Sequence, residues 1–226
     1  METRIRVLEE TIKSQAQEIR TLKDIEAINR LQRAYGFYLE HWMTREIVDL
    51  FADNPETSVT LAPGTWLGKD GVQRYFDHNK PDNEFLHQVM QVSGIVDVDP
   101  DGKTAKGRWY GFGGAAMPRG KGMRQTFISG IYTATYIKEK GIWKFLKLQF
   151  DGVYSAKPQE GWVKPERLAA AEPNTPVPVL VADVPRTYTA FYPSGYIVPF
   201  HYNHPVTGKK TSENAWNSSL KKSTGR

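Results

Sequence analysis

The chain has 226 residues, a formal net charge of +5 and no cysteine. This length suits one globular domain with extensions, and the missing cysteines exclude disulfides, thiolate nucleophiles and cysteine-ligated metal sites. No apolar run reaches the ~18 residues of a membrane span, and the N-terminal residues lack the features of a secretory signal. We therefore predict a cytoplasmic protein without a membrane partner. No nucleic-acid partner is expected either, because no binding motif accompanies the basic residues near the end of the chain.

The N-terminal residues have the spacing of an amphipathic or coiled-coil helix. Aliphatic side chains recur three and four positions apart with charged residues between them: Ile5, Leu8, Ile12, Ile19 and Leu22. We predict a helical extension over residues 1–24 and a homo-oligomer, with a trimer weakly favoured over a dimer because isoleucine fills half of the six seam positions. The helical pattern continues through Tyr38, and a second helical segment covers residues 47–51 before Asn54-Pro55 stops it.

The period then changes to that of strands. We predict strands at residues 57–62, 87–98, 104–112, 124–138 and 142–154, and a short helix at 69–78. Short turns such as the one between Asp99 and Gly102 join the long strands, as antiparallel hairpins require. Helices followed by such a meander predict an α+β fold, a cone-shaped barrel in which the N-terminal helices cover one face of a curved antiparallel sheet.

Residues 163–226 differ in composition from the rest of the chain. The stretch EPNTPVPVLVADVP is proline-rich and lacks a period, whereas YTAFYPSGYIVPFHYNHP is too aromatic for a disordered tail. We predict an extended C-terminal segment that packs on the domain or on a neighbouring subunit. His201 and His204 form an HxxH pair in it, but two histidines without a third ligand predict no metal site.

Five segments in order carry a family resemblance: AINRLQRAYGFYLE, IVDLFADNPETSVTL, GKDGVQRYF, LHQVMQVSGIVDVDPDGKTAKGRWY and GIYTATYIKEKGIWKFLKL. Together they resemble the SnoaL-like branch of the nuclear-transport-factor-2-like superfamily over residues 25–162. The ending PFHYNHPVTGK is similar to the extension of a bacterial subgroup that includes lignin-derived diarylpropane formaldehyde lyases, which need no cofactor. The resemblance implies a cone that encloses one deep pocket, and an enzyme of aromatic-compound catabolism.

The resemblance also implies site residues. Dehydratases of this superfamily use Tyr and Asp from the first core helix and a His from the strand facing it. Tyr35 and Tyr38 match the helix tyrosines, and His87 matches the strand histidine. Glu40 stands where Asp is common; its extra methylene moves the carboxylate by about 1.5 Å, on the scale where misplacement impairs catalysis. Whether Glu40 or His41 faces the pocket stays open.

The residues themselves support a more modest interpretation. An imidazole with a pKa near neutrality makes His87 a candidate general base, although a histidine at a strand start is more often a satisfied structural group. Tyr35 and Tyr38 are three positions apart and share a helix face, which fits either core packing or a pocket wall. Trp42 continues that stripe and fits the same two roles.

Four further residues are candidates, one of them for catalysis and three for substrate binding. Arg108 lies in GRWYG on a predicted strand, where it would hold oxyanion character if it pointed inward; the glycines beside it leave the strand parity open. Tyr110 on the same strand and Gln125 on the next are candidate substrate contacts. Lys121, in the glycine-rich loop MPRGKGM, fits a solvated loop residue as well as a ligand contact.

The leading functional hypothesis is a cofactor-independent lyase acting on a diarylpropane-type diol. A pocket acid would help a benzylic hydroxyl leave, and His87 would then deprotonate a primary alcohol, so that formaldehyde is lost and a stilbene-like alkene remains. Removal of a carbon-bound proton instead gives a dehydratase, or an isomerase, of a steroid- or polyketide-like substrate. A non-catalytic small-molecule-binding or assembly module is the alternative of another class.

Overall fold

The structure is a computed structural model that describes residues 2–78, 86–119, 122–158, 182–185, 199–201, 210, 212, 214–215 and 217–218. It contains three helices and seven strands in these residues. They are α1 (Glu2–Glu40), α2 (Thr44–Asp49), β1 (Ser58–Leu61), β2 (Gly64–Leu67), α3 (Gly68–His78), β3 (Leu86–Val98), β4 (Thr104–Arg119), β5 (Gly122–Glu139), β6 (Ile142–Ala156) and β7 (Val184–Pro185). Across the part of the chain described, no helix is long and apolar enough to cross a membrane.

The seven strands form one curved, open sheet in the order β3-β4-β5-β6-β1-β2-β7. This confirms the predicted α+β fold, and the four long strands form the predicted antiparallel meander. One detail differs: β1 pairs in parallel with β6, so the sheet is mixed. Strands β2 and β7 were not predicted, because strands of four and two residues carry too little alternation to be recognised.

Helix α1 covers the sheet through the second half of its length. Its buried residues are Ile28, Gln32, Tyr35 and Leu39, which recur every three or four positions and therefore share one face. The helix ends at Glu40, so the predicted helical stripe does not extend to Trp42. Trp42 has a left-handed backbone with φ of 49°, and its indole N–H donates to the carbonyl of Phe76 at 2.7 Å. This bond and burial of the ring hold a conformation that non-glycine residues rarely adopt.

Strand alternation separates the sheet into two faces. We call the inner face the one that packs on α1. Trp109 belongs to it: its indole N–H donates to the Tyr136 hydroxyl at 3.1 Å, which in turn donates to Gln32 of α1 at 2.7 Å. The register places Tyr132 opposite Trp109 and His87 opposite Ala115, so both side chains lie on this inner face. Arg108 alternates to the other side, which we call the outer face.

Glycines keep the inner face open for large rings and close strand pairing. A Cβ on Gly111 or Gly130 would lie 2.7 Å or 2.4 Å from the Phe150 ring. A Cβ on Gly113 would lie 1.7 Å from the backbone carbonyl oxygen of Gln88 on the neighbouring strand. The glycines of β4 and β5 therefore let aromatic rings lie flat across the sheet, and let β3 approach β4 closely.

Two short pieces of the C-terminal segment lie against the domain. Strand β7 pairs with β2, and Asp183 next to it accepts a hydrogen bond from the Leu67 N–H at 2.9 Å. Residues 199–201 lie on the outer face of the sheet, where the Pro199 carbonyl accepts a hydrogen bond from Arg108. Most of the predicted proline-rich and aromatic extension, including His204, falls outside the described residues.

Candidate active site

His87 is placed at the start of β3 with its side chain on the inner face. Its ring lies 5.5 Å from the Trp42 ring in an edge-on arrangement. Burial disfavours the charged imidazolium and lowers the pKa of His87 to about 4. The imidazole is therefore neutral near pH 7, the state in which it can accept a proton.

Three phenols, two of them buried and Tyr75 partly buried, lie on the same side of the sheet, each from a different element. Tyr35 comes from α1, Tyr75 from α3 and Tyr132 from β5. The rings of Tyr35 and Tyr132 are 6.0 Å apart and edge-on. Burial raises the pKa of all three, and Tyr75 lies near enough to raise the pKa of the other two by charge repulsion. The three phenols consequently stay neutral and act as hydrogen-bond donors.

Two neighbouring side chains distinguish Tyr132 from the other two phenols. Tyr35 and Gln91 both lower the pKa of Tyr132 against the larger effect of burial. Tyr132 in turn raises the pKa of Tyr35, beside the larger effect of burial. Gln91 reaches this position because Gly36 faces it on α1, where a Cβ would lie 2.3 Å from the Gln91 Oε1 atom. Of the three phenols, Tyr132 is therefore the one whose deprotonated form is stabilised by two neighbouring side chains.

Trp42 packs against both the His87 imidazole and one of the phenols, Tyr75. Its ring centroid is 5.5 Å from that of His87 and 6.2 Å from that of Tyr75. Phe76 and Phe150 complete an aromatic surround, at 5.6 Å from Trp42 and 4.6 Å from Tyr132. Neither carboxylates nor cations are among the causes of the pKa shifts of His87 and the three phenols. Neutral donors and one neutral base thus lie in an aromatic environment.

The structure brings together some of the residues selected from the sequence. Tyr35, His87 and Trp42 lie around this cluster, and Tyr38 packs, partly buried, against the same core. Glu40 and His41 do not join them. The Glu40 carboxylate accepts a hydrogen bond from the Gln88 side chain at 3.2 Å in an exposed position, and His41 is exposed just beyond the end of the helix. Neither Glu40 nor His41 therefore points toward the cluster, because α1 ends at this point.

Arg108, Tyr110 and Gln125 lie on the outer face of the sheet, away from the cluster around His87. The Arg108 Nη1 atom donates to the Pro199 carbonyl at 2.8 Å, and its guanidinium stacks 4.4 Å from the Phe200 ring centre. Tyr110 is 56% exposed. The unbroken pairing of β4 with β5 fixes this parity, which the glycines had obscured. Lys121 falls outside the described residues.

No metal centre is assembled in the described part of the chain. Within it, no group of three His, Asp or Glu side chains is placed to hold a metal ion. His201 instead lies 3.1 Å from the Asp97 carboxylate. Its predicted HxxH partner falls outside the described residues.

Three site residues were missed from the sequence: Tyr75, Gln91 and Tyr132. The signal for Tyr132 was present, because Gly130, Tyr132, Ala134 and Tyr136 alternate as one face of a strand. Gln91 lies two positions after Val89 and four after His87, so it shares their face by the same rule. Tyr75 had no such signal, since only the docking of α3 determines what lies beside it.

Comparison with known proteins agrees with this architecture. Residues 20–149 match the model of the SnoaL-like domain. A solved structure of a candidate scytalone dehydratase from Novosphingobium aromaticivorans DSM 12444 aligns with a TM-score of 0.52 at 19% identity, covering 65% of this chain and 93% of that one. The structure of LinA aligns with a TM-score of 0.52 at 15% identity, covering 66% of this chain and 99% of that one. A type 2 hexachlorocyclohexane dehydrochlorinase aligns with a TM-score of 0.51 at 16% identity, covering 66% of this chain and 98% of that one.

At identities of 15% to 19%, the likeness to these solved structures shows a shared fold and no more. The family match rests on the sequence itself and spans more than half of the chain, from the middle of α1 to β6. The chain therefore belongs to the SnoaL-like domain family.

Proposed function

We propose that the protein is an enzyme that catalyses elimination from a small, neutral, hydroxylated aromatic molecule by acid–base chemistry. The observation that carries the proposal is the neutral imidazole of His87 on the same sheet face as three neutral phenols. A base that is unprotonated at neutral pH and donors that remain protonated are the two requirements of such a reaction.

The environment supports an uncharged, aromatic substrate. A charged group lying against Trp42, Phe76 or Phe150 would lose its hydration without meeting a described counter-charge, which is unfavourable. Flat rings can instead stack against these side chains at low cost. The names of the structural relatives, a candidate scytalone dehydratase and a dehydrochlorinase, describe eliminations and agree with this class of reaction.

The specific reaction we propose is loss of formaldehyde from a lignin-derived diarylpropane diol, without a cofactor. Tyr132 donates a proton to the benzylic hydroxyl, which leaves as water while the para-phenol electrons form a protonated quinone methide. His87 then takes the proton of the primary alcohol. The carbon–carbon bond breaks, formaldehyde departs, and the electron pair restores the aromatic phenol and leaves a stilbene-like alkene. Return of the proton from His87 to Tyr132 restores both groups.

Dehydration is the second candidate and uses the same groups. If His87 removes a carbon-bound proton instead of the alcohol proton, the carbon skeleton stays intact and water is the sole leaving product. A steroid- or polyketide-like alcohol would then fit the aromatic surroundings as well. The two reactions differ in their products, so product analysis separates them.

The test is mass spectrometry of products after incubating the purified protein, with no added cofactor, with diaryl diols and hydroxylated steroids. Formaldehyde with a stilbene product supports the lyase; a product lighter by one water supports the dehydratase. Tight binding of panel members with no turnover of any would contradict both and favour a binding module. The Arg108→Met variant, altered on the outer face, is the matched control for His87→Ala.

A further inference from the structure

The first half of α1 exposes an apolar stripe to solvent. Every residue from 2 to 15 is exposed, and the aliphatic side chains on this half are 50% to 66% exposed: Ile5, Leu8, Ile12, Ile19 and Leu22. In the second half of the same helix, Ile28 and Tyr35 are fully buried against the domain. A helix rises 1.5 Å per residue, so roughly 30 Å of helix with an uncovered apolar stripe precede the domain.

The stripe has a strict seven-residue repeat. Ile5, Ile12 and Ile19 occupy the a positions, and Leu8, Gln15 and Leu22 the d positions. Two polar contacts within the helix lie away from this seam. Arg6 pairs with Glu10 at 3.9 Å, and Arg20 donates to Gln17 at 2.9 Å, all four at b and f positions. All six a and d side chains are exposed along these three heptads.

We propose that residues 5–22 pair with the same segment of a second copy of this chain in a parallel, in-register, two-stranded coiled coil. This interface is independent of the proposed function. The charges beside the seam are self-complementary in this register. Arg4 at a g position faces Glu9 at the e position of the second copy, and Glu18 faces Lys23 in the same way. Each contact occurs twice by symmetry.

Gln15 sets the direction of the two helices. In a parallel pair its layer is Gln15 against Gln15 of the second copy, so the two amides can hydrogen-bond to each other. In an antiparallel pair an a layer faces a d layer, so each Gln15 would be buried against an isoleucine without a partner. The charges alone would permit either direction, and the buried amide favours the parallel one.

The pattern of isoleucine and leucine along the seam also favours a coiled coil of two helices. Isoleucine content alone favours a trimer, but isoleucine occupies only a positions here and leucine only d positions. That arrangement packs best in a parallel dimer. Three heptads are short for an isolated coiled coil, yet the helix is already nucleated because its second half is anchored to the sheet. Association then orders little additional backbone.

The number of copies tests the interface on the full chain. We expect light scattering after size exclusion to give the mass of two copies for the unmodified protein. The double variant Ile12→Lys, Ile19→Lys should give one copy with an unchanged domain melting transition. Glu10→Gln, Gln17→Lys adds the same net charge at outward f positions and should leave the mass at two copies. A monomeric or trimeric unmodified protein, or a double seam variant that keeps the original mass, would overturn the proposal.

The direction is tested with introduced thiols, because the chain has no cysteine. Leu8→Cys places one thiol at a d layer that meets itself only in a parallel pair, so we expect a disulfide-linked dimer on mild oxidation. Glu10→Cys, at an outward f position, reports random collisions and should stay unlinked. Failure of Leu8→Cys to link faster than Glu10→Cys contradicts the parallel register.

Discussion

On β4, Trp109 packs into the core on the inner face, whereas Arg108, one residue earlier, lies on the outer face against Phe200. The same alternation separates Tyr132 from Thr133, and His87 from Gln88. The inner face holds the neutral imidazole and phenols, and the outer face holds a guanidinium and a short stretch of the C-terminal segment. The comparison shows that strand parity, more than residue type, decides which polar groups share a site with the aromatic core.

The largest expected difference between the faces concerns packing at two adjacent glycines. Gly113→Ala places a Cβ 1.7 Å from the Gln88 carbonyl oxygen, and backbone cannot rotate away. We expect a loss of about 2 to 3 kcal/mol in unfolding free energy, the upper range for overpacking. Gly114→Ala on the other face meets only the Thr126 carbonyl at 3.8 Å and should be nearly neutral. Urea unfolding followed by tryptophan fluorescence measures both; equal stabilities would contradict the close approach of β3 and β4.

The next comparison is between His87 and Gln88. We expect His87→Ala to lower turnover at least about tenfold, because general-base assistance is lost, while the melting temperature stays close to that of the unmodified protein. Gln88→Ala removes only the exposed contact to Glu40 and should change turnover less than twofold. The measurement is the steady-state turnover of both variants on the substrate that product analysis identifies. Unchanged turnover in His87→Ala would remove His87 from the mechanism.

The pH dependence of stability follows from the lowered pKa of His87. The unfolded imidazole binds a proton near pH 6.5 and the folded one only near 4, so the unfolded state binds more protons between these values. Stability should therefore be full above about pH 6.5 and fall as the pH drops toward 4. In His87→Gln, the change in unfolding free energy between these pH values should be smaller by about 1 kcal/mol. This is less than the full pKa shift implies, because the ring is only partly buried. Parallel unfolding curves for the two proteins at all pH values would contradict a buried neutral His87.

Tyr132 and Thr133 give a further matched pair. Tyr132→Phe keeps the ring on the inner face but removes the hydroxyl that Tyr35 and Gln91 support. We expect turnover to fall roughly threefold to tenfold, at the low end for acid assistance because Tyr35 and Tyr75 can still donate. Thr133→Val on the outer face should leave turnover unchanged. A Tyr132→Phe enzyme as fast as Thr133→Val would assign the acid to another group.

The smallest expected effect is on the outer face. Arg108→Met removes the hydrogen bond to Pro199 and the stacking on Phe200, so the attachment of residues 199–201 should weaken. Turnover should stay within about twofold, because the guanidinium does not lie on the inner face. A severe loss of turnover with normal stability would show that the C-terminal segment or Arg108 itself acts on the substrate.

Several elements could be predicted from the sequence because their signals are local. The long strands repeat every two residues and are joined by short turns, and the prediction for β3 differs from the structure by a single residue. The stripe through Tyr35 follows the helical period. The end of α1 could not be predicted, because the left-handed backbone of Trp42 depends on a hydrogen bond to Phe76, 34 residues later. The face of the sheet on which Arg108 lies could not be predicted either, because the glycines on both sides of it hide which face is apolar.

The sequence by itself determined the order of the helices and of all strands except β2 and β7, the family, and two of the polar groups of the candidate site, Tyr35 and His87. Periodicity and family motifs express these features along the chain, without reference to distant contacts. Only the tertiary structure decided that Tyr75, Gln91 and Tyr132 join them and that Glu40, His41 and Arg108 do not. Which side chains meet depends on how α1 and α3 dock on the sheet, and on a register that a shift of one residue would invert.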